Sequence, residues 1–428
     1  MRSSRLVAAS LAGVVISGLV VSTALPAAAV SASHTAPAGP ATGPASSNPA
    51  KGVTLTLPAP NGRYATGEST FRLVDDKRPD PWTPSQPYRE LMISVFYPAV
   101  HTSGRPFTTQ FPAGAAAAIG PAAEQNFTLP AGLVNWAATK THSVQDAEMA
   151  PGRFPVVLYS PGAGDSRDSN VTLVENLASQ GYIVVTIDHT GEAPATEFPD
   201  GHIVGNSVVD AEFAQAYKDG TTLAFFTKLM TARQADTELV LDRLSSLPSR
   251  LSRGMELNRI GMFGHSAGGF TAANVMYTDP RIKAGADMDG TLEYNVVPDD
   301  TNMSQVALHG LQQPFLLIGS SSAADGSDIH REPSWASFWR HQSGWKADIT
   351  MNDSEHHTLT DYEALLPQLA GKVSTATLNG DLGLVNPHQA VAADRALADS
   401  FFDRFLKGCD DHLLDGRGAS QYPITFEK

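Results

Sequence analysis

The chain of 428 residues has a single cysteine, few positive charges and, past its first residues, no apolar run long enough to cross a bilayer. One Cys excludes an internal disulfide framework and every multi-cysteine metal site. Thirty Lys and Arg against 44 Asp and Glu leave a net charge of −14 with no basic run, which argues against nucleic acid as a partner. No heptad array and no internal repeat is present, so coiled coils, solenoids and propellers are excluded. What is present is a globular composition, 42% hydrophobic and 17% charged.

The one long apolar run lies at the start. Arg2 and Arg5 precede Leu6 to Leu25, and Pro26 and the small residues Ala27 to Ala32 follow. A basic start, an apolar middle and an A-x-A-like site predict a signal peptide over 1–32, cleaved near Ala29 or Ala32, and hence a secreted protein. Residues 33–52 are Pro, Ala, Ser and Gly with almost nothing to bury, the composition of a flexible tether. The remainder, 53–428, reads as one domain.

Within it, short runs apolar on both faces alternate with helical patterns. Predicted strands are Val53 to Leu57, Phe71 to Val74, Leu91 to Tyr97, Pro155 to Ser160, Tyr182 to Asp188, Ile260 to Gly264, Ala284 to Asp289, Phe315 to Gly319 and Ala347 to Met351. Predicted helices are Asn170 to Gln180, Thr221 to Leu247, Ser266 to Tyr277, Ser334 to Gln342 and His388 to Lys407, the last capped by Gly408. This is the pattern of a doubly wound, mostly parallel α/β sheet with an antiparallel N-terminal start. Arg105 to Met149 and Asp299 to Leu311 break the alternation and read equally as surface connections or as pocket-shaping segments.

Gly264-His265-Ser266-Ala267-Gly268 contains G-x-S-x-G between an apolar run and a helical one. Strand, sharp turn and helix is the setting of a nucleophile elbow, whose glycines leave room for a serine in strained backbone geometry. A serine hydroxyl needs a base, and the base an orienting acid, in the chain order Ser, acid, His for this arrangement. His356 and His357 follow the last predicted strand and are the candidate bases. The acid is Asp289, at the end of its strand, or Asp325 or Asp328 in the next loop. Oxyanion donors are expected from the N–H of Ala267, after the nucleophile, and of Ala163 in the Pro161-Gly162-Ala163-Gly164-Asp165 loop.

These residues resemble the secreted platelet-activating factor acetylhydrolase family among the α/β-hydrolase esterases and lipases. The resemblance runs through Leu73 to Trp82, Arg89 to Ala99, Phe154 to Gly164, Gly181 to His189, the elbow and the region of His356. It implies the α/β-hydrolase fold, selects Asp289 as the acid and, through the S-x-H pattern Ser354-Glu355-His356, selects His356 as the base. One departure is plain: the family's oxyanion loop commonly begins His-Gly, and here it begins Pro161-Gly162. Cutinase-type relatives take the acid from the later loop, which keeps Asp325 as the alternative.

The implied activity is hydrolysis of short-chain esters, phospholipid acetyl esters included, through an acyl-enzyme, with no cofactor and no metal. Rival readings are a triacylglycerol lipase, a cutinase-like polyester hydrolase, and a non-catalytic binding protein of the same fold. The acid pairs Asp75-Asp76 and Asp299-Asp300 read as solvated carboxylates, not calcium ligands. Any transient lipid contact should be apolar, through Phe107 to Trp136. The lone Cys409 is expected to be buried.

Overall fold

In the computed structural model, residues 52–294, 302–322 and 328–427 are described. Residues 1–32, expected to be a signal peptide, nearly all of the expected tether, Asp299, Asp300 and Asp325 lie outside them. β1 (Ala65–Asp75) and β2 (Arg89–Val100) form an antiparallel pair, followed by β3 (Phe107–Thr109), α1 (Ala113–Asn126), β4 (Lys140–Gln145) and β5 (Glu148–Met149). The alternation then runs β6 (Phe154–Ser160), α2 (Val171–Ser179), β7 (Ile183–Asp188), and the ribbon of β8 (Thr196–Glu197) and β9 (Ile203–Val204). Next come α3 (Ser207–Asp219), α4 (Thr222–Arg243), α5 (Ser249–Ser252), β10 (Met255–His265), α6 (Ala267–Thr278) and β11 (Ile282–Met288). The chain closes with α7 (Gln305–His309), β12 (Phe315–Ser321), α8 (Pro333–His341), β13 (Lys346–Asn352), α9 (Tyr362–Leu365), α10 (Thr375–Leu382), α11 (Pro387–Phe402) and β14 (Ile424–Phe426).

One sheet carries the domain in the order β14-β13-β12-β11-β10-β6-β7-β2-β1-β4-β3, with β5 paired to β2. The strands from β13 to β7 are parallel, β14 is antiparallel to β13, β2 is antiparallel to both β7 and β1, and β1 runs parallel to β4. The period-two alternation of β6 splits its side chains between two layers. Val156 and Leu158 join a core with Leu229 and Val240 of α4 and Ala273 of α6. Val157 and Tyr159 join one with Leu177 of α2 and Phe401 of α11. Both faces are covered, as the uniformly apolar strands require, and the fold is the α/β-hydrolase fold.

The structure corrects several expectations. Val53 to Leu57 is not a strand: Val53 makes a single bridge to Val134, and Pro58 and Pro60 cannot extend a ladder. The segment instead tucks Leu55 and Leu57 into a third apolar cluster with Phe111, Phe127, Trp136 and Tyr362. That cluster absorbs most of the aromatics of 105–149, so the proposed apolar lipid contact loses its basis there, and Phe107 alone of those rings stays well exposed. Cys409 is exposed, not buried. Asp75 accepts from the Lys77 N–H and pairs with Arg78 in a local turn. Among the described residues, no helix is long and apolar enough to cross a membrane.

Candidate active site

Four loops at the C-terminal edge of the parallel strands meet at one cavity of about 80 Å³, the edge where α/β sheets place their sites. Gly162, Ala163 and Asp165 follow β6, Ser266 follows β10, Asp289 follows β11, and His356 and His357 follow β13. Phe226, Leu229 and Met230 of α4, Phe270 of α6 and Tyr294 add an apolar wall.

Ser266 sits at φ 55° and ψ −124°, a region that L residues rarely occupy. The turn is held by packing that only glycine allows. A Cβ on Gly264 would lie 2.1 Å from the Gly268 carbonyl carbon, and one on Gly268 would lie 1.9 Å from the Ser160 oxygen. The Ser266 N–H donates to the Met288 carbonyl at 2.8 Å, tying the Ser266 turn to the loop that carries Asp289. Ala267 opens α6, so its N–H is one of those a helix leaves without an intrahelical partner.

Asp289 is also at positive φ, 62°. Its Oδ2 meets His356 Nδ1 at 2.5 Å, and its Oδ1 accepts the Ser320 N–H at 2.6 Å. Burial pushes the Asp289 carboxyl up, but the hydrogen bond and charge of His356, with Ser320, outweigh it and hold the group below its usual range. For His356 burial works downward, and Asp289, then Asp165 and Glu355, raise the imidazole above its ordinary value. With Nδ1 as donor to the carboxylate, Nε2 of neutral His356 is left as the acceptor. A donor–acceptor imidazole lining the same cavity as a strained serine is the arrangement that general-base chemistry needs.

Of the other described candidates, His357 also lines the cavity and Asp328 does not. His357 packs its ring against Phe127 and Tyr362, at 4.8 and 5.9 Å between centroids, and burial drives its pKa well down. Asp328 caps the turn at Ile329 to Arg331 by accepting the His330 N–H, and pairs with Arg331.

Several site residues were not singled out by motif. His265, the x of the elbow, donates from Nε2 to the His356 carbonyl at 2.9 Å. Asp165 lines the cavity, and burial pushes its carboxyl up to about 6 against the charges of His356 and Arg233. Arg233 of α4, fully buried, binds the carbonyls of Pro161 and Gly162. A second serine–histidine–aspartate array also exists. Ser160 Oγ lies 2.9 Å from His189 Nε2, and His189 Nδ1 lies 3.2 Å from Asp236 Oδ2. Its members are 0%, 1% and 0% exposed and Asp236 is bound by Arg89 and Arg78, so no substrate reaches it. Ser266, by contrast, is partly exposed and lines the cavity.

Comparison with known proteins places the chain among esterases. Residues 54–203, which include the loop after β6, match the family described as platelet-activating factor acetylhydrolase, isoform II. A protein of Arthroderma benhamiae named as a probable 1-alkyl-2-acetylglycerophosphocholine esterase is 28% identical over 390 residues, 86% of this chain and 92% of that one. The platelet-activating factor acetylhydrolase of Gallus gallus is 24% identical over 64% of this chain and 69% of its own. Among solved structures, a ferulic acid esterase from Streptomyces cinnamoneus superposes with a TM-score of 0.71 and 32% identity, covering 88% of this chain and all of that one. A shared fold carrying ester chemistry in every one of these relatives leaves one assignment: the chain belongs to the platelet-activating factor acetylhydrolase-like family of α/β-hydrolase esterases and is a carboxylic-ester hydrolase.

Proposed function

We propose that the protein is an exported serine esterase acting on short-chain carboxylic esters, with Ser266 as nucleophile, His356 as base and Asp289 as the acid that fixes the His356 tautomer. The observation that carries this reading is the 2.5 Å contact of His356 Nδ1 with Asp289 Oδ2 in the same cavity as the strained Ser266. Ser266 Oγ adds to the ester carbonyl while His356 Nε2 takes its proton. The oxyanion is held by the N–H groups of Ala163 and Ala267. Collapse expels the alcohol, protonated by His356, and water then cleaves the acyl-enzyme by the same steps.

Cavity size bears on the substrate. The cavity, about 80 Å³, is small, which supports a short acyl group. This favours acetyl esters, platelet-activating-factor-like phospholipids among them, over triacylglycerols and polyesters. The apolar wall with Phe226, Phe270 and Tyr294 supports a second reading, esters of aromatic acids such as ferulate, the acid named for the Streptomyces enzyme. Export rests on the basic, apolar and small-residue order of residues 1–32.

The test is a panel of p-nitrophenyl esters from acetate to palmitate, with methyl ferulate, on wild type, Ser266→Ala, Asp289→Asn and Asp325→Asn. Acetate or butyrate should be turned over best. Ser266→Ala and Asp289→Asn should each lose roughly three to four orders of magnitude in kcat. Wild-type rates in Ser266→Ala would refute the mechanism, and a collapse in Asp325→Asn alone would move the acid.

A further inference from the structure

The loop after β6 is held from behind by one helix. Arg233 of α4 donates from Nη1 to the Pro161 carbonyl at 2.7 Å, from Nη2 to the Gly162 carbonyl at 3.0 Å, and from Nε to Glu192 Oε2 at 2.7 Å. One turn on, Asp236 accepts from His189 Nδ1, and His189 Nε2 accepts from the Ser160 hydroxyl. Burial and the Arg233 charge push the His189 pKa down, so the ring is neutral and its two bonds have these directions. Burial works against an ionised Asp236, but the charge of Arg89 and the bonds from His189 and Arg89 prevail, keeping its carboxyl charged. Three successive residues of the loop, Ser160, Pro161 and Gly162, are therefore fixed by α4, directly or through His189.

The consequence follows from peptide geometry. The Gly162 carbonyl and the Ala163 N–H belong to one planar trans peptide, so they point in opposite directions. Turning the Gly162 oxygen to Arg233 aims the Ala163 N–H away from α4's guanidinium, on the side where Ala163 lines the cavity with Ser266. The Gly162 carbonyl also accepts the Asp165 N–H at 3.2 Å, and the position is closely packed: a Cβ there would lie 2.7 Å from Asp165 Oδ2 and 3.2 Å from His265 Nδ1. The loop's opening residue is a proline, which has neither a side-chain donor nor an N–H with which to brace itself.

We propose that Arg233 is the positioning residue of the oxyanion hole: by binding the Pro161 and Gly162 carbonyls it presets the Gly162–Ala163 peptide so that the Ala163 N–H faces the developing oxyanion. The buried Ser160–His189–Asp236 array is the second half of the same brace and takes no part in proton transfer. This inference rests on the serine-esterase reading and adds to it a residue that never touches substrate. A preset donor matters only when charge appears on the carbonyl oxygen, so its loss falls on kcat and spares ground-state binding.

The test compares Arg233→Lys, which keeps a charge opposite Glu192 but lacks the two-pronged fork, with the double variant Arg233→Met/Glu192→Gln, which leaves no uncompensated buried carboxylate. Both are assayed with p-nitrophenyl butyrate and with an alkyl boronic acid, whose tetrahedral serine adduct places an oxygen in the oxyanion hole. The expected result is a fall in kcat of roughly 10- to 100-fold, KM within about threefold of wild type, and a loss of boronate affinity that parallels kcat. A brace serving stability alone would lower the melting temperature and leave the kcat, KM and boronate values of the folded enzyme unchanged. Either variant, folded by near-UV circular dichroism and with kcat within about threefold of wild type, overturns the proposal. Ser266→Ala is run alongside: activity there refutes the serine reading, whereas an inactive Ser266→Ala beside a normal Arg233→Lys refutes only the role of Arg233.

Discussion

The side chain of His265 donates from Nε2 to the main-chain carbonyl of His356 at 2.9 Å, so the residue before Ser266 holds the backbone of His356. The acceptor is a carbonyl, which fixes the proton on Nε2. Burial, followed by the nearby charge of His356, pushes His265 down to about 3, so it stays neutral when His356 becomes an imidazolium. His265→Ala should therefore lose roughly 10- to 100-fold in kcat through misplacement of His356, and His265→Gln, which retains a donor, markedly less. Steady-state kinetics on the two folded variants measure this; equal activities would show that the hydrogen bond does not position the base.

The second prediction concerns pH. As the proposed base, His356 works only when neutral, and its pKa is raised above the ordinary 6.5 despite burial, by Asp289 first and Asp165 next. The acid limb of kcat/KM should accordingly lie above that ordinary value. Asp165→Asn removes a negative charge that favours the imidazolium, so the limb should move to lower pH while the alkaline plateau persists. A limb that stays in place, or moves upward, would show that Asp165 does not act on the base through its charge.

How much of this was readable beforehand depended on whether a residue's partner was local. The central strands were legible because β6 and β7 are buried at every position, and such runs stand out as apolar. β1 was read only as Phe71 to Val74, yet it begins at Ala65, because its first half is polar. Glu68 and Ser69 are buried there by pairing with Ser94, Thr108 and Asp146, partners that no periodicity displays. The elbow was legible since backbone crowding demands glycine at fixed spacing. Arg233 was not, for its carbonyl partners lie 72 and 71 residues away and a lone Arg in a helix ordinarily faces water. The clue in hindsight is Arg233 and Asp236 on one face of a helix whose neighbours Leu229, Met230 and Val240 are buried.

A third prediction tests that crowding directly. A Cβ on Gly269 would lie 1.7 Å from Asp287 Oδ1 and 3.0 Å from its Cα, so relief requires movement of β11 itself, just ahead of Asp289. Gly269→Ala should destabilise the protein by about 1–3 kcal/mol or more and lower activity through displaced Asp289. Gly380→Ala, where a Cβ meets nothing, is the control in α10 and should be close to neutral in both thermal melts and kinetics.

The last prediction concerns stability away from the site. Glu363 of α9 is fully buried, and neither carboxylate oxygen has a hydrogen-bond partner among the described residues. Burial, with the Asp394 charge adding to it, pushes the Glu363 carboxyl up to about 9 from an ordinary 4.5. The folded state thus keeps a proton that the unfolded chain releases, so stability is fully present below about 4.5 and declines as pH rises toward about 9. Glu363→Gln mimics the neutral group and removes that slope. Its melting temperature should match wild type near pH 4.5 and exceed it by several degrees at about pH 8. An unchanged or larger pH slope in the variant would mean that Glu363 is ionised where it lies. That outcome would demand a cation beside it, because an unpaired carboxylate at this depth costs several kcal/mol.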